Sequence, residues 1–198
     1  MDLDIVSILF LAYKLSPFII MSYLSLFSII NREYKGLVLL SGVLLSCFLT
    51  TMVSKTPYFE NAESGVMNQD GLFVKCNLLT LTKEGPLSKI PLSINIFSFL
   101  LTYFVLCISS NNLLGENVLV LLLFSIILIF DVYFITTQGC NTVTNIVTGI
   151  ILGGVFGSIW YYIIDASNNP DLQFFNGKNS SEVCNQTDSS FSCKVVSS

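Results

Sequence analysis

Five residues near the end of the hydrophobic part of the chain combine small and polar side chains at a regular spacing of four. They are Asn141, Asn145, Gly149, Gly153 and Gly157. Positions four apart lie close together on a helix, and each step of four exceeds a full turn by about 40°, so the five form a slowly winding stripe. The carboxamides can hydrogen-bond a polar group, whereas the glycines allow another helix to approach closely. The pattern predicts one helix with a polar membrane entrance and a packing seam.

The residue types that are missing exclude much of catalysis and metal binding. The chain has no histidine, and Arg32 is its only arginine. A histidine base, nucleophile or metal ligand is therefore impossible. The six cysteines include no tight Cys-x-x-Cys pair, so the sequence predicts neither a metal site nor a cofactor. The net charge of −4 includes no basic block, which argues against a nucleic-acid partner.

The elements that must position these residues are predicted to be membrane spans. The chain is 53% hydrophobic and only 11% charged, whereas soluble domains are about 25% charged. Its long apolar runs predict an all-α fold, a polytopic transmembrane helical bundle of about five spans. We assign the bundle to residues 1–165, with an extramembrane loop at 54–90. Residues 166–198, rich in Ser and Asn, are predicted to form a polar, partly flexible tail.

The predicted spans follow the hydrophobic runs, at residues 4–30, 37–53, 91–109, 117–135 and 144–164. Pro17 interrupts the first run, which is either one tilted helix kinked at the proline or a short interfacial segment before a span. Because the N-terminus is acidic, we expect a retained anchor rather than a signal peptide. Asp131, an ionisable group within the fourth span, is a functional candidate, although its place near the span's end favours exposure at the interface.

Five spans place the 54–90 loop and the tail on opposite sides of the membrane, but charge does not orient them. The loop holds four lysines, and the other side holds Arg32, Lys35 and two tail lysines. Within the loop, the stretch LFVKCNLLTLT (72–82) is strand-like in part and predicts a short hairpin or an interfacial segment.

The tail carries two cysteines and two sequons. Cys184 and Cys193 could close a small loop. At most one disulfide pair is expected, because the other extramembrane cysteines lie on the opposite side and two pairs would need two oxidising compartments. The glycosylation sequons begin at Asn179 and Asn185, but such matches are frequent by chance in an Asn- and Ser-rich segment.

Two segments together resemble a known family. Residues 91–106, PLSINIFSFLLTYFVL, are similar to the start of a core helix in the type 2 phosphatidic acid phosphatase and haloperoxidase superfamily, which opens with Pro-Ser-Gly-His. Residues 139–162, GCNTVTNIVTGIILGGVFGSIWYY, look like that family's last core helix, which follows a Ser-Arg-x5-His-x3-Asp motif. The resemblance covers roughly residues 40–165 and implies a phosphatidate-phosphatase-like bundle.

The same resemblance implies that the catalytic groups are replaced. Ile94 stands where the family has its acid histidine, Asn141 at its nucleophilic histidine and Asn145 at its orienting aspartate. The other motif positions, which carry serine, arginine or lysine in the family, fall on Phe134, Ile135, Leu49 and Thr56. An amide cannot form a phospho-enzyme as an imidazole does, and no arginine clamp is left for a phosphate. The resemblance therefore implies a pseudoenzyme.

Two functions remain open at this point. The first is a non-catalytic, structural or membrane-organising protein that could anchor a protein partner through the 54–90 loop or the tail. The alternative is a lipid-headgroup-binding or lipid-transporting protein whose remnant pocket contains Lys55, Asn141 and Asn145. If there is no pocket, the two asparagines are only a polar entrance, with a helix N-cap near Thr142 or Thr144.

Composition adds one further resemblance. A chain rich in Ile, Asn, Phe and Ser, with a short cysteine-bearing tail, resembles small membrane proteins of large DNA viruses of eukaryotes. That resemblance implies a virion membrane or a host internal membrane. Membrane lipid is the expected partner, and the sequence does not determine the oligomeric state.

Overall fold

The structure is a computed structural model that describes residues 5–31, 34–56, 88–137, 141–167, 169, 172–175, 182–187 and 190–195. Five helices follow one another along the described chain: α1 Ile5–Asn31, α2 Lys35–Ser54, α3 Leu92–Ser110, α4 Leu114–Thr137 and α5 Val143–Ala166. Two strands follow, β1 Glu182–Thr187 and β2 Ser190–Val195. The strand-like stretch at 72–82 lies outside the described residues.

The helices form where the apolar runs are long, because only a helix satisfies the backbone of a lone segment in lipid. Among the described helices, α2, α3, α4 and α5 are long and apolar enough to cross a membrane. α1 contributes a shorter apolar stretch, Leu15–Ile30, and continues through Pro17 as a single helix. The predicted helical bundle is confirmed, and four of its helices have the length and apolar character of membrane spans. Of the two alternatives left open at Pro17, the structure has the single helix.

α3 lies at the centre of the bundle. It forms its largest interface with α5, and it also contacts α2 and α4. α2 packs against α1 and α5 as well. The buried core therefore comes largely from α3, with Phe97, Leu100, Tyr103, Phe104 and Cys107 among its buried side chains. By contrast, α4 is mostly exposed and presents a broad apolar surface that in a bilayer would face lipid or another chain.

The turn between α3 and α4 is set by local geometry. Asn112 has a φ of 56°, in the left-handed region that asparagine tolerates better than most residues. The N–H of Leu113 donates to the carbonyl oxygen of Ile108 at 3.0 Å, which closes the end of α3. The spans predicted at 91–109 and 117–135 imply a short connection, and the structure has one, although α4 begins at Leu114, three residues before the predicted span.

The segment after α5 folds back on the bundle. Residues 172–175, here called the clasp, place Phe174 and Phe175 against Phe104, with ring centroids 5.7 and 5.3 Å away. Asn111 Nδ2 donates to the carbonyl oxygen of Phe175 at 2.9 Å. Beyond the clasp, β1 and β2 pair in antiparallel register as a hairpin. The sequence did not predict these strands, so the all-α description holds for the bundle and not for the tail.

Candidate functional site at the α3–α5 interface

Two glycines of the stripe bring the backbones of α3 and α5 into contact. A Cβ atom added to Gly157 would lie 2.6 Å from the carbonyl oxygen of Phe99. A Cβ added to Gly153 would overlap the carbonyl oxygen of Asn95. Since carbonyl oxygens belong to the backbone, a side chain at either position would force the helices apart. Gly153 and Gly157 therefore lie in the closest part of the seam.

Gly149 belongs to the same stripe, but its surroundings are less tightly packed. A Cβ there would lie 3.3 Å from Ile90 Cγ2 and 3.6 Å from Ile94 Cγ2. The carbonyl oxygen of Pro91 would lie at 3.5 Å, which is an ordinary van der Waals distance. The nearest neighbour is thus a side-chain methyl group, which can shift more easily than a backbone carbonyl. The seam thus narrows from the Asn145 end of α5 toward the middle of the helix.

Polar side chains join α3 to α2 and to α5. Asn95 Nδ2 donates to Ser46 Oγ on α2 at 3.0 Å, and both residues are buried. Ser98 Oγ donates to the carbonyl oxygen of Ile150 on α5 at 2.7 Å. Buried polar groups need such partners, because lipid and packed side chains offer none. Through these bonds, Asn95 and Ser98 connect α3 to α2 and α5.

α2 carries a buried polar stripe that was not predicted from the sequence. Ser46, Thr50 and Ser54 are all buried, and their spacing of four places them on one face. Thr50 is fully buried, and its Oγ1 has no hydrogen-bond partner. The signal was present in the sequence as three hydroxyl residues at regular intervals, the same kind of pattern that singled out the glycines.

The polar end of α5 contains two buried oxygens without a hydrogen-bond partner. Asn145 is 8% exposed, and its Nδ2 donates to the carbonyl oxygen of Lys89 at 3.3 Å. Its Oδ1 is buried and unpartnered, as is Oγ1 of Thr142. Thr142 occupies the N-cap position of α5 but makes no side-chain cap bond. This end of the helix therefore presents two acceptors that could receive a hydrogen bond from a ligand.

The three predicted pocket residues do not form one hydrogen-bonded group. Asn141 precedes α5 and is half-buried. Lys55 caps the C-terminal end of α2 and is exposed. The hydrogen bond of Asn145 goes to Lys89, in the segment before α3, rather than to Lys55. The structure thus brings Asn145 to the start of α3, as the α3–α5 packing requires.

The positions that correspond to the resembled catalytic set lie partly together. Ile94 is fully buried and approaches Gly149, one turn from Asn145. An isoleucine side chain and a carboxamide can pack and hydrogen-bond, but neither supplies a nucleophile or a proton acid near neutral pH. At these positions, the chemistry that the side chains support is recognition rather than phosphoryl transfer.

Asp131 is not exposed at the membrane interface, so that prediction was wrong. It is 2% exposed, and α4 continues past it to Thr137. Asp131 lies seven residues after Phe124, and these two are the buried residues of α4. Since seven residues make about two turns, both lie on the helix face that packs inward. A buried carboxyl group in a membrane helix is a functional candidate. The position of Asp131 near the end of the predicted span did not indicate that it is buried.

Within the described residues, no group of three or more His, Cys, Asp or Glu side chains is placed to hold a metal ion. No protein-family model, curated protein or solved structure matches this chain. The function must therefore be inferred from the residues of this chain.

Proposed function

We propose that this protein is a non-catalytic, multi-pass membrane protein with a structural, membrane-organising role. The observation that carries the proposal is the α3–α5 interface, where Gly153 and Gly157 contact the backbone of α3 directly. In the same region, the side chains of Asn95 and Ser98 hydrogen-bond to other helices. Such an interface supports a rigid bundle and leaves little room for a substrate between the two helices.

The outer helices support the same proposal. α4 carries a row of exposed apolar side chains, including Leu119, Leu122 and Phe130. In a bilayer such a surface contacts acyl chains or a neighbouring membrane protein. A rigid centre with wide apolar flanks is suited to anchoring, and the 54–90 loop or the tail would hold the partner. A virion membrane or a host internal membrane is the proposed location.

The phosphatidate-phosphatase-like assignment is part of this proposal. It is supported by the packing of the two resembling segments, since the start of α3 meets the first half of α5. Under this assignment, Ile94, Asn141 and Asn145 mark the positions of a lost catalytic set.

The enzymatic part of the proposal is tested with protein purified in vesicles. Phosphatidate and lipid diphosphates are supplied, and released phosphate is measured. We expect no release above protein-free vesicles, and no difference between the wild-type protein and Asn141→Ala. Turnover that is present in the wild type and lost in Asn141→Ala would overturn the non-catalytic assignment.

The structural part is tested by imaging vesicles reconstituted at increasing protein density. We expect a change in vesicle size or curvature that Gly157→Leu weakens, because this substitution separates α3 from α5. Gly115→Leu, at a glycine of α4 with open space around its Cβ position, is the matched control and should retain the effect. Vesicles whose shape does not depend on protein density would contradict a membrane-shaping role.

A second candidate function is recognition of a lipid headgroup, favoured by the unpartnered oxygens Asn145 Oδ1 and Thr142 Oγ1. Because Asn145 already donates through Nδ2 to Lys89, its remaining carbonyl oxygen needs a donor. A headgroup hydroxyl or ammonium would supply one. Asn141 and Lys55, at the same membrane side, are the candidate outer contacts.

This second function is tested by native mass spectrometry of the purified protein. If it holds, a lipid with a hydroxyl or ammonium headgroup co-purifies, and Asn145→Leu removes it. Thr136→Val is the control, because its exposed hydroxyl bonds only within α4. Absence of bound lipid from the wild-type protein would count against the pocket.

A further inference from the structure

The strand register of the tail places two cysteines opposite each other. Cα partners along the hairpin run from Glu182 with Val195 to Thr187 with Ser190, and Cys184 is the partner of Cys193. We propose that Cys184 and Cys193 form a disulfide across the hairpin and that the tail lies on the oxidising side of the membrane. This inference does not depend on the function proposed above.

The backbone geometry fits a disulfide. Directly opposed residues of an antiparallel pair have Cα atoms about 4.5 or 5.5 Å apart, depending on the hydrogen-bonding pattern. Disulfides span Cα distances of about 4.4 to 6.8 Å, so either pattern is compatible. A register shifted by one residue would oppose Cys184 to a serine or a lysine. The register that the structure shows is the one that brings the cysteines together.

A cross-link would also stabilise the hairpin. A two-stranded hairpin alone is marginally stable at best in water. The strands EVCNQT and SFSCKV are largely polar, so they offer little apolar area to stabilise the pair. A disulfide restricts the unfolded hairpin and so favours the paired state. A disulfide would therefore supply stability that the hairpin does not gain from burial of apolar side chains.

The reaction is a thiol–disulfide exchange with a disulfide-carrying oxidant, either a protein oxidoreductase or oxidised glutathione. One thiolate of the pair attacks the oxidant's disulfide, and a mixed disulfide forms as one oxidant sulfur leaves as a thiolate. The second cysteine then attacks the mixed disulfide and releases the other oxidant sulfur. The pair loses two protons and two electrons, and the oxidant gains them as a dithiol or two thiols.

The disulfide would determine the orientation of the protein in the membrane, which the distribution of lysine and arginine does not determine. Stable disulfides form in the secretory lumen or outside the cell rather than in the cytosol. The tail shares its side with the α3–α4 turn, because the clasp bonds Asn111 in that turn. Alternation of the spans then places Lys55, Lys89 and the polar end of α5 on the reducing side. The candidate headgroup site would face the cytosolic leaflet.

The test uses the full-length protein in microsomes made without reductant. Free thiols are blocked with N-ethylmaleimide, and the protein is digested with trypsin. Cleavage after Lys178 and Lys194 gives one peptide, residues 179–194, that contains both cysteines. We expect this peptide to carry no maleimide and to be lighter by two hydrogen atoms than after reduction. A peptide carrying two maleimide groups would overturn the disulfide.

Two substitutions and a protection assay complete the test. Cys184→Ser should expose Cys193 to maleimide, whereas Cys47→Ser, within α2, should leave the peptide unchanged. The measurement on the wild-type protein stands even if Cys184→Ser folds poorly. Protease added outside sealed microsomes should leave the tail intact, and removal of the tail in that assay would overturn its place on the oxidising side.

Discussion

At the scale of single residues, a few polar contacts lie within the apolar interior of the described bundle. Asn95 is the clearest case, since it is fully buried and bonds Ser46 on another helix. In a membrane such a bond is worth about 0.6 kcal/mol on average and up to roughly 2 kcal/mol, because the separated helices also find partners. These side chains therefore select the packed arrangement of α2 and α3 more than they supply its stability.

A double-mutant cycle measures this contact. Ser46→Ala and Asn95→Ala are made singly and together, and unfolding free energies are measured in mixed micelles. We expect a coupling energy of about 0.6–2 kcal/mol, because each single variant already removes the bond. Ser41→Ala is the control, since Ser41 bonds only the carbonyl of Val38 in its own helix. A coupling near zero would show that the Ser46–Asn95 bond contributes nothing.

At the scale of helices, the stripe on α5 is graded rather than uniform. A Cβ at Gly153 or Gly157 would clash with a backbone carbonyl, one at Gly149 would lie no closer than 3.3 Å to any neighbour, and one at Gly115 on α4 would meet open space. The glycine spacing in the sequence treats the three α5 positions alike. The tertiary structure separates them, because only the crossing of α3 and α5 decides which turn comes closest.

Alanine substitutions at the four glycines test that gradient. Gly153→Ala and Gly157→Ala should each lose about 1–3 kcal/mol of stability, the usual cost of overpacking a filled contact. Gly149→Ala should lose less, and Gly115→Ala should be neutral or slightly stabilising because alanine favours helix. Thermal unfolding of the purified variants in one detergent gives the order. Equal losses at Gly149 and Gly157 would contradict the described seam.

At the scale of the whole molecule, the clasp links the end of the chain to its centre. Phe174 and Phe175 pack on Phe104, and Gln173 bonds both Asn111 and Asp165. These contacts cover the C-terminal end of α3. A tail that extended away from the bundle would leave this end exposed. The tail is therefore partly a component of the bundle.

Two truncations separate the clasp from the hairpin. A chain ending after residue 167 loses the clasp, and we expect it to be less stable by about 2 kcal/mol or more through lost aromatic burial. A chain ending after residue 176 keeps the clasp and should unfold near the wild-type temperature. The measurement is thermal unfolding in detergent. Equal unfolding temperatures for both truncations and the full chain would show that the clasp does not stabilise the bundle.

The sequence alone determined the features that depend on nearby residues. Hydrophobic length located the helices, and spacing by four located the glycine stripe, because both signals repeat within one helix. Lack of histidine excluded a large class of chemistry without reference to structure.

Only the tertiary structure decided features that join distant parts of the chain. The bond from Ser46 to Asn95 spans 49 residues, and the one from Asn111 to Phe175 spans 64. Burial of Asp131 likewise depends on which face of α4 packs inward, and the opposition of Cys184 to Cys193, although local, depends on the strand register. A local sequence pattern shows which residues share a face, but the packing of whole helices and strands determines which face is buried.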